Sequence, residues 1–210
     1  MYAMLDQELR EEFLSGEEVF HGKLINVEHW RVKLPDGQEA WREVVKHCGA
    51  VAVVPLDDAG NITLVRQHRV AVGRFTWEIP AGKLDHGSDE GLLIAAQREL
   101  EEETGLRAQN WELLTDIDTT PGFCNEHIAI FLATGLSQHE MHTDEDEFLH
   151  VASIPLHEAV QRVMAGEIRD SKTIAGVLMA HCRKQAEKAS PFAGRSPIQR
   201  AKSTFASRGK

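Results

Sequence analysis

The stretch from Gly82 to Leu106 constrains the fold of this chain more than any other part of it. Its second half predicts a helix, which Ser88 or Asp89 can cap and which Gly105 can end. At about 100° per residue, one face of this helix is apolar and is predicted to be buried. The apolar side chains of that face are Leu92, Leu93, Ala96 and Leu100.

An acidic face adjoins this apolar face. Glu99, Glu102 and Glu103 are three and four residues apart, so their carboxylates lie on the same side of the helix, whereas Glu101 points away. Arg98 reaches Glu102 one turn further on. The three carboxylates repel one another, and a hard divalent cation with oxygen ligands would relieve that repulsion. A solvated acidic surface is the other interpretation of such a helix.

The order of residues from Arg98 to Leu106, RELEEETGL, resembles the signature of the Nudix hydrolases, which cleave nucleoside diphosphates linked to another group. The resemblance covers almost the complete signature. It departs in one place, because Ser88 stands where the family has a glutamate. Glu90 has the family's spacing to Arg98, which implies a loop after Gly82 that is longer by two residues.

The resemblance implies a metal-dependent active site on this helix. Its ions are expected to be Mg²⁺, with Mn²⁺ as the alternative, in two or three copies. Arg98 is expected to orient the carboxylates. The implied metal ligands are Glu99, Glu102, Glu103 and the carbonyl group of Ala81, the residue before the opening glycine.

Three features resemble the ADP-ribose pyrophosphatase branch of that family. They are the lead-in from Glu78 to Gly82 (EIPAG), a proline at Pro121, and a pair of glutamates before a short strand. That branch implies hydrolysis of ADP-ribose, or of a close ADP-sugar, to AMP and a sugar phosphate. It also implies that the catalytic base is Glu145, with Glu147 as second choice.

The substrate is expected to contact residues outside the helix. Arg69 matches an arginine position of the branch and could hold a phosphate, although an exposed strand residue is the alternative. Trp77 and Phe75 could stack on an adenine, or belong to the core. The remaining predicted substrate contacts are Glu78, Pro121, Gly122 and Phe123.

The order of elements predicts an α+β fold, a mixed sheet between helices, which agrees with the α/β/α sandwich that the resemblance implies. Three regions are expected: N-terminal antiparallel strands in residues 1–46, a hydrolase domain in 47–182, and a basic, disordered tail in 183–210. The N-terminal strands, 24–34 and 39–46, carry more apolar surface than a two-stranded flap leaves in water. The branch pairs such strands across a two-fold axis, which predicts a homodimer whose sites borrow residues from the partner's N-terminal segment.

Composition excludes several classes of protein. The net charge of −10 argues against binding to duplex nucleic acid. Cys48, Cys124 and Cys182 lack metal-ligand spacing and predict reduced thiols in a cytoplasmic protein. The N-terminus does not read as a signal peptide, and the longest apolar run, 50–56, is too short to cross a membrane.

The sequence therefore predicts a Mg²⁺-dependent hydrolase of ADP-ribose. Within the same enzyme class, the alternative substrate is another nucleotide sugar such as GDP-mannose. Outside that class, the alternative is a Nudix module that senses a nucleotide without cleaving it, although such modules tend to lose the signature carboxylates.

Overall fold

The computed structural model describes residues 8–84, 91–141 and 148–189. Its strands are β1 (Glu12–His21), β2 (Asn26–Lys33), β3 (Glu39–Lys46), β4 (Ala50–Pro55), β5 (Asn61–Arg69), β6 (Arg74–Glu78), β7 (Ala81–Lys83), β8 (Leu106–Asp118), β9 (His127–Gln138) and β10 (His150–Pro155). Its α-helices are α1 (Leu92–Thr104), α2 (Leu156–Met164) and α3 (Ser171–Ala189), and a short 3-10 helix spans Val70–Val72.

The centre of the fold is a mixed four-stranded sheet in the order β7-β4-β9-β8. Strand β4 runs parallel to β9, and the other neighbours are antiparallel. All six residues of β4 are buried, as expected of a strand covered on both faces. The apolar run that begins at residue 50 therefore forms a buried strand of the central sheet.

Successive residues of β4 supply two separate cores. Val51 and Val53 pack on the α1 side, where they meet Ala96 and Leu100. On the opposite face, Ala52 and Val54 pack against α2 and α3. The helix residues of this second core include Ala159, Val177 and Ala180. Because helices cover both faces of the sheet, the predicted α/β/α sandwich is confirmed.

Helix α1 starts later than its sequence indicates. It begins at Leu92 with Gly91 in the N-cap position, whereas the predicted caps, Ser88 and Asp89, lie outside the described residues. The predicted end at Gly105 is confirmed. Gly105 adopts a left-handed conformation with φ 66° and donates its N–H to the carbonyl of Glu101 at 2.8 Å.

The N-terminal sheet has three strands in the order β1-β2-β3. The antiparallel pair predicted around the turn at 35–37 corresponds to β2 and β3, and it is confirmed. Strand β1 is a correction, because the N-terminal strands were predicted only at 24–34 and 39–46. All ten residues of β1 are exposed in the single chain. Because this strand has no buried face there, its sequence lacks the alternation of apolar and polar residues that predicts a strand.

A second three-stranded sheet, in the order β10-β5-β6, places β6 beside α3 and β5 beside α2. Helix α3 continues past the boundary predicted at residues 182–183 and ends at Ala189. In the described part of the chain, no helix is long and apolar enough to cross a membrane.

Candidate active site

The lead-in strand β7 brings the opening glycine of the signature against α1. Gly82 pairs with Val51 of the central sheet, and its Cα faces the carboxylate of Glu99. A Cβ added to Gly82 would lie 2.0 Å from that carboxylate, so only glycine leaves room for it. The neighbouring Ala81 donates its N–H to the Glu103 carboxylate at 3.2 Å. Two of the predicted metal ligands therefore meet the residue pair 81–82.

Arg98 connects Glu99 with the third carboxylate of this face, Glu102. Its Nη1 donates to Oε1 of Glu99 at 2.6 Å and to Oε2 of Glu102 at 2.8 Å. The contact between Arg98 and Glu102 was predicted from helical spacing and is confirmed. Glu103 is buried and Glu102 is partly exposed, whereas Glu101, on the other side of the helix, pairs with Arg107.

The donor chemistry of this face fits a divalent cation. Within the described residues, no three acidic, histidine or cysteine side chains converge tightly enough to form a complete ion cage. However, carboxylate oxygens are the ligands that Mg²⁺ and Mn²⁺ prefer. Gly82 leaves room for the Glu99 carboxylate beside strand β7, and Arg98 forms ion pairs with Glu99 and Glu102. The assignment of Ala81, Glu99, Glu102 and Glu103 as metal ligands stays a prediction.

Glu78 lies one strand earlier and is almost completely buried, with 2% of its surface exposed. Its Oε1 accepts from Nε of Arg69 at 2.8 Å and from the hydroxyl of Thr76 at 2.5 Å. Its Oε2 accepts from Nη2 of Arg69 at 2.8 Å and from Nζ of Lys172 at 2.5 Å. Although Glu78 was predicted to bind substrate, its carboxylate contacts protein groups on both oxygens.

The two cations beside Glu78 differ in exposure. The Arg69 side chain is 46% exposed, whereas that of Lys172 is 10% exposed and also contacts Asp170 at 3.1 Å. Burial alone would raise the pKa of Glu78, but the hydrogen bonds from Arg69 and the charge of Lys172 lower it to about 2. The hydrogen bond to Glu78 raises the pKa of Arg69 in turn.

Two clefts open beside these residues. The first, of about 420 Å³, is lined by Ala81, Gly82 and Glu103 together with Lys23, Leu24, His47, Ala50, Gln67, Arg69, Lys83, Glu126, Ile128 and Lys172. The second, of about 510 Å³, is lined by Glu78 and Thr76 together with Arg69, Ala71, Val72, Arg74, Thr119, Glu126, Ile128, Arg169, Asp170, Ser171 and Lys172. Arg69 and Lys172 line both clefts, so the predicted phosphate ligand Arg69 lies on their common border.

The loop that follows β8 carries three predicted substrate contacts, which stay predictions. Pro121, Gly122 and Phe123 are exposed, and they are absent from the described linings of both clefts. Phe123 instead accepts the N–H of Val45, which ties the loop to β3. Glu126, which was not predicted, lines both clefts. The sequence signal for it was an acidic residue at the end of a turn-rich loop.

His47 is a second cleft residue that the sequence did not single out. Its Nδ1 accepts the N–H of Gly49 at 3.0 Å and lies 3.6 Å from the carboxylate of Glu126. Glu126 is also held by the hydroxyl of Thr119 at 2.8 Å. Isolated histidines and acids of this kind have no distinctive spacing, so only the folded chain brings them together.

Trp77 lies apart from these residues. Along β6, Phe75 and Trp77 face one side, and Thr76 and Glu78 face the other. Arg66 stacks at 5.4 Å from the Trp77 ring centre, and Trp77 packs against the core that α2 and α3 cover. Trp77 lines neither described cleft, and its packing agrees with the alternative of a core role. Its predicted contact with an adenine stays a prediction.

The two glutamates predicted as the catalytic base lie outside the described residues, and so does Glu90. Glu145 and Glu147 belong to the segment 142–147, and Glu90 belongs to the segment 85–90. Their roles stay predictions from the sequence.

Comparison with known proteins identifies the family. The NUDIX domain family model matches residues 46–175. An ADP-ribose pyrophosphatase of Mycobacterium tuberculosis is 44% identical over 173 residues, which cover 81% of this chain and 83% of that protein. An ADP-ribose pyrophosphatase of Bacillus subtilis is 42% identical over 167 residues, which cover 79% of this chain and 89% of that protein.

A solved structure confirms the fold. The crystal structure of an ADP compounds hydrolase superposes with a TM-score of 0.74, covers 85% of this chain and 97% of its own, and is 22% identical. Together with the domain match and the two relatives, the sandwich around the signature helix shows that this chain belongs to the Nudix family.

Proposed function

We propose that this chain hydrolyses the diphosphate bond of ADP-ribose, or of a closely related ADP-sugar, and releases AMP and a sugar phosphate. The observation that carries this proposal is the identity of 44% and 42% to two ADP-ribose pyrophosphatases over about four fifths of the chain. The site agrees with it in kind, because a face of carboxylates on α1 lies close to clefts bordered by Arg69 and Lys172.

Nudix hydrolases generally work with a divalent metal ion. For this chain we assign Mg²⁺, with Mn²⁺ as the alternative, in two or three copies. Bound there, the ions would neutralise charge that develops on the diphosphate. The proposed ligands are Glu99, Glu102, Glu103 and the carbonyl of Ala81. Arg98 and Gly82 support them, since Arg98 orients two carboxylates and Gly82 leaves room for one.

A proton acceptor completes the proposed reaction. Hydrolysis needs a group that takes a proton from the attacking water. We assign this role to Glu145 and rank Glu147 second, because the carboxylates of the α1 face are assigned to the metal and that of Glu78 is held by three protein groups.

A turnover panel tests the substrate. Purified protein with Mg²⁺ is given ADP-ribose, other ADP-sugars, GDP-mannose and UDP-glucose, and the products are separated by chromatography. We expect the highest kcat/KM for ADP-ribose, with AMP as the nucleotide product. A preference for GDP-mannose would replace the proposed substrate. Tight binding of a nucleotide sugar with no product from any of them would instead identify a sensing module.

We also propose that the chain forms a homodimer through its N-terminal sheet. Large apolar side chains of this sheet are exposed in the single chain, among them Phe13 (55%), Phe20 (54%) and Trp41 (64%). Such a surface is typical of a protein interface. Lys23 and Leu24, between β1 and β2, line the first cleft of their own chain, so this sheet also connects to the site.

If the chain is a dimer, its mass in solution should be doubled and its substrate binding should depend on dimerisation. Light scattering at micromolar concentration should give twice the chain mass. Replacing Phe20 and Trp41 by serine should yield monomers with weaker substrate binding. A wild-type monomer with normal turnover would contradict the proposal.

A further inference from the structure

We propose that Lys172 is a positioning residue of this site: through the buried carboxylate of Glu78, it holds the guanidinium of Arg69 on the border between the two clefts. This inference rests on the proposed function, because it concerns how the site receives a diphosphate. It adds to that function a residue that lies 94 positions away from Glu78 along the chain.

The negative charge of the buried Glu78 carboxylate is compensated by its hydrogen-bond donors. A buried carboxylate is costly unless it is paired and hydrogen-bonded. Glu78 meets this condition with four hydrogen bonds, which come from Arg69 (two), Thr76 and Lys172. Lys172 shares Oε2 with Arg69, so the position of that oxygen depends on both cations.

Lys172 is itself held in place by two carboxylates. Its ammonium group is held between Glu78 and Asp170, and Asp170 in turn accepts from the backbone N–H and the hydroxyl of Thr173 at the start of α3. The same Thr173 hydroxyl accepts the N–H of Ile79. The start of α3 is therefore fixed to the end of β6, and Lys172 is a rigid anchor for the Glu78 carboxylate.

Arg69 retains N–H donors that are not bonded to Glu78. A guanidinium carries five N–H donors, and Glu78 takes the Nε donor and one Nη2 donor. Arg69 makes no other hydrogen bond to the described residues, and its side chain is 46% exposed on the border of both clefts. Its remaining donors can thus meet a bidentate anion such as a phosphate.

These contacts distinguish positioning from simple charge. Without Lys172, Glu78 would keep its two bonds to Arg69 but lose the anchor on Oε2, so the pair could shift toward solvent. Effective binding depends on donors that are held in place before the ligand arrives. We therefore expect Lys172 to act on the substrate through Arg69.

A double-mutant cycle tests this dependence. Lys172→Met is made in the wild type and in Arg69→Met, and the Kd of ADP-ribose is measured by calorimetry with EDTA, so that metal binding and turnover do not enter. In the wild type, we expect Lys172→Met to weaken binding about tenfold, which corresponds to about 1.4 kcal/mol. In Arg69→Met, the same change should weaken binding less than twofold.

Rescue and control variants separate positioning from folding. Lys172→Arg retains a cation beside Glu78 and should recover most of the affinity, and Lys172→Gln replaces Lys172→Met if the latter does not fold. Arg183 lies further along the same helix as Lys172, α3, and forms an exposed ion pair with Glu112 of β8. Arg183→Met should therefore leave Kd unchanged. In kinetics with Mg²⁺, Lys172→Met should raise KM more than it lowers kcat.

Two results would overturn the proposal: equal losses in both backgrounds, or a Kd that does not respond to Lys172→Met. A wild type that neither binds nor hydrolyses ADP-ribose would refute the substrate assignment instead. The cycle is then repeated with the nucleotide sugar that the wild type does hydrolyse, so the two failures are distinguishable.

Discussion

The segment 79–82 lies between two charged groups: Glu78 with its donors, called the Glu78 group, and the carboxylates of the α1 face. The negative charges of these two groups are neutralised in different ways. Glu78 is a single buried carboxylate that receives hydrogen bonds from two cations, Arg69 and Lys172, and from a hydroxyl. On α1, Glu99 and Glu102 share one guanidinium nitrogen of Arg98. In the first group two cations serve one carboxylate, whereas in the second group one cation serves two carboxylates.

The difference explains why the two groups suit different tasks. A carboxylate whose oxygens are already occupied by protein donors can orient those donors but has little capacity for a metal ion. Carboxylates that share a cation on a partly exposed face can exchange part of that compensation for a divalent ion. We therefore assign positioning to Glu78 and metal binding to the α1 face.

The largest effect is expected from the α1 face. Glu102→Gln removes a charged metal ligand on a partly exposed side chain, so it should lower kcat by several orders of magnitude while the melting temperature stays close to that of the wild type. Turnover and thermal unfolding are measured on the same sample.

Glu101→Gln is the matched control for that change, because Glu101 lies on the same helix but pairs with Arg107 on its other side. It should retain nearly full activity. Full activity in Glu102→Gln and in Glu103→Gln would remove this face from the chemistry and end the comparison.

The next effect concerns a carboxylate that belongs to neither group. Glu145→Gln should lower kcat by about 10²–10⁴-fold and flatten the acid limb of the pH profile, because general-base catalysis contributes on that scale. Metal affinity should change little. If Glu147→Gln produces this pattern and Glu145→Gln does not, the ranking of the two bases is wrong.

The α1 face and the Glu78 group also differ in how visible they are in the sequence. The α1 face lies within one helix, so spacing of three and four residues suffices to predict that Arg98 meets Glu102. The same local reasoning predicts the end of the helix at Gly105. The Glu78 group joins residues 94 positions apart, and pairing at that distance leaves no periodic signal.

Other features of the structure are hard to predict from the sequence, also for physical reasons. Strand β1 has ten exposed residues, so no burial pattern marks it as a strand. Both Trp77 and Glu78 are predicted to contact substrate, which stays a prediction, but the structure shows that they point to opposite faces of β6. That alternation was available in the sequence and would have separated them.

A smaller effect is expected in the stability of the Glu78 group. The pKa of Glu78 falls from 4.5 to about 2 on folding, which corresponds to about 3 kcal/mol of stability. Because the folded pKa is the lower one, this contribution is present above about pH 4.5 and is lost as the pH falls toward 2. Glu78→Gln should therefore lower the free energy of unfolding by about that amount at pH 7.

Denaturant titrations at several pH values check this prediction. The gap between wild type and Glu78→Gln should narrow as the pH falls from 4.5 toward 2. Glu112→Gln breaks an exposed ion pair with Arg183 and should cost less than about 1 kcal/mol. A gap that stays constant with pH would show that Glu78 stabilises the fold by packing and not by its charge.

The smallest effect lies between the two groups, at Gly82. Its φ is outside the left-handed region, so alanine would change only the space that Glu99 occupies. We expect Gly82→Ala to displace that carboxylate and to weaken metal affinity about 10–100-fold, the scale of losing a group that orients a ligand. Excess Mg²⁺ should recover part of the rate. Gly91→Ala, at the start of the same helix, meets no atom within 4 Å and should bind metal as the wild type does. If Gly82→Ala keeps wild-type metal affinity, Glu99 is not a ligand that the lead-in strand holds in place.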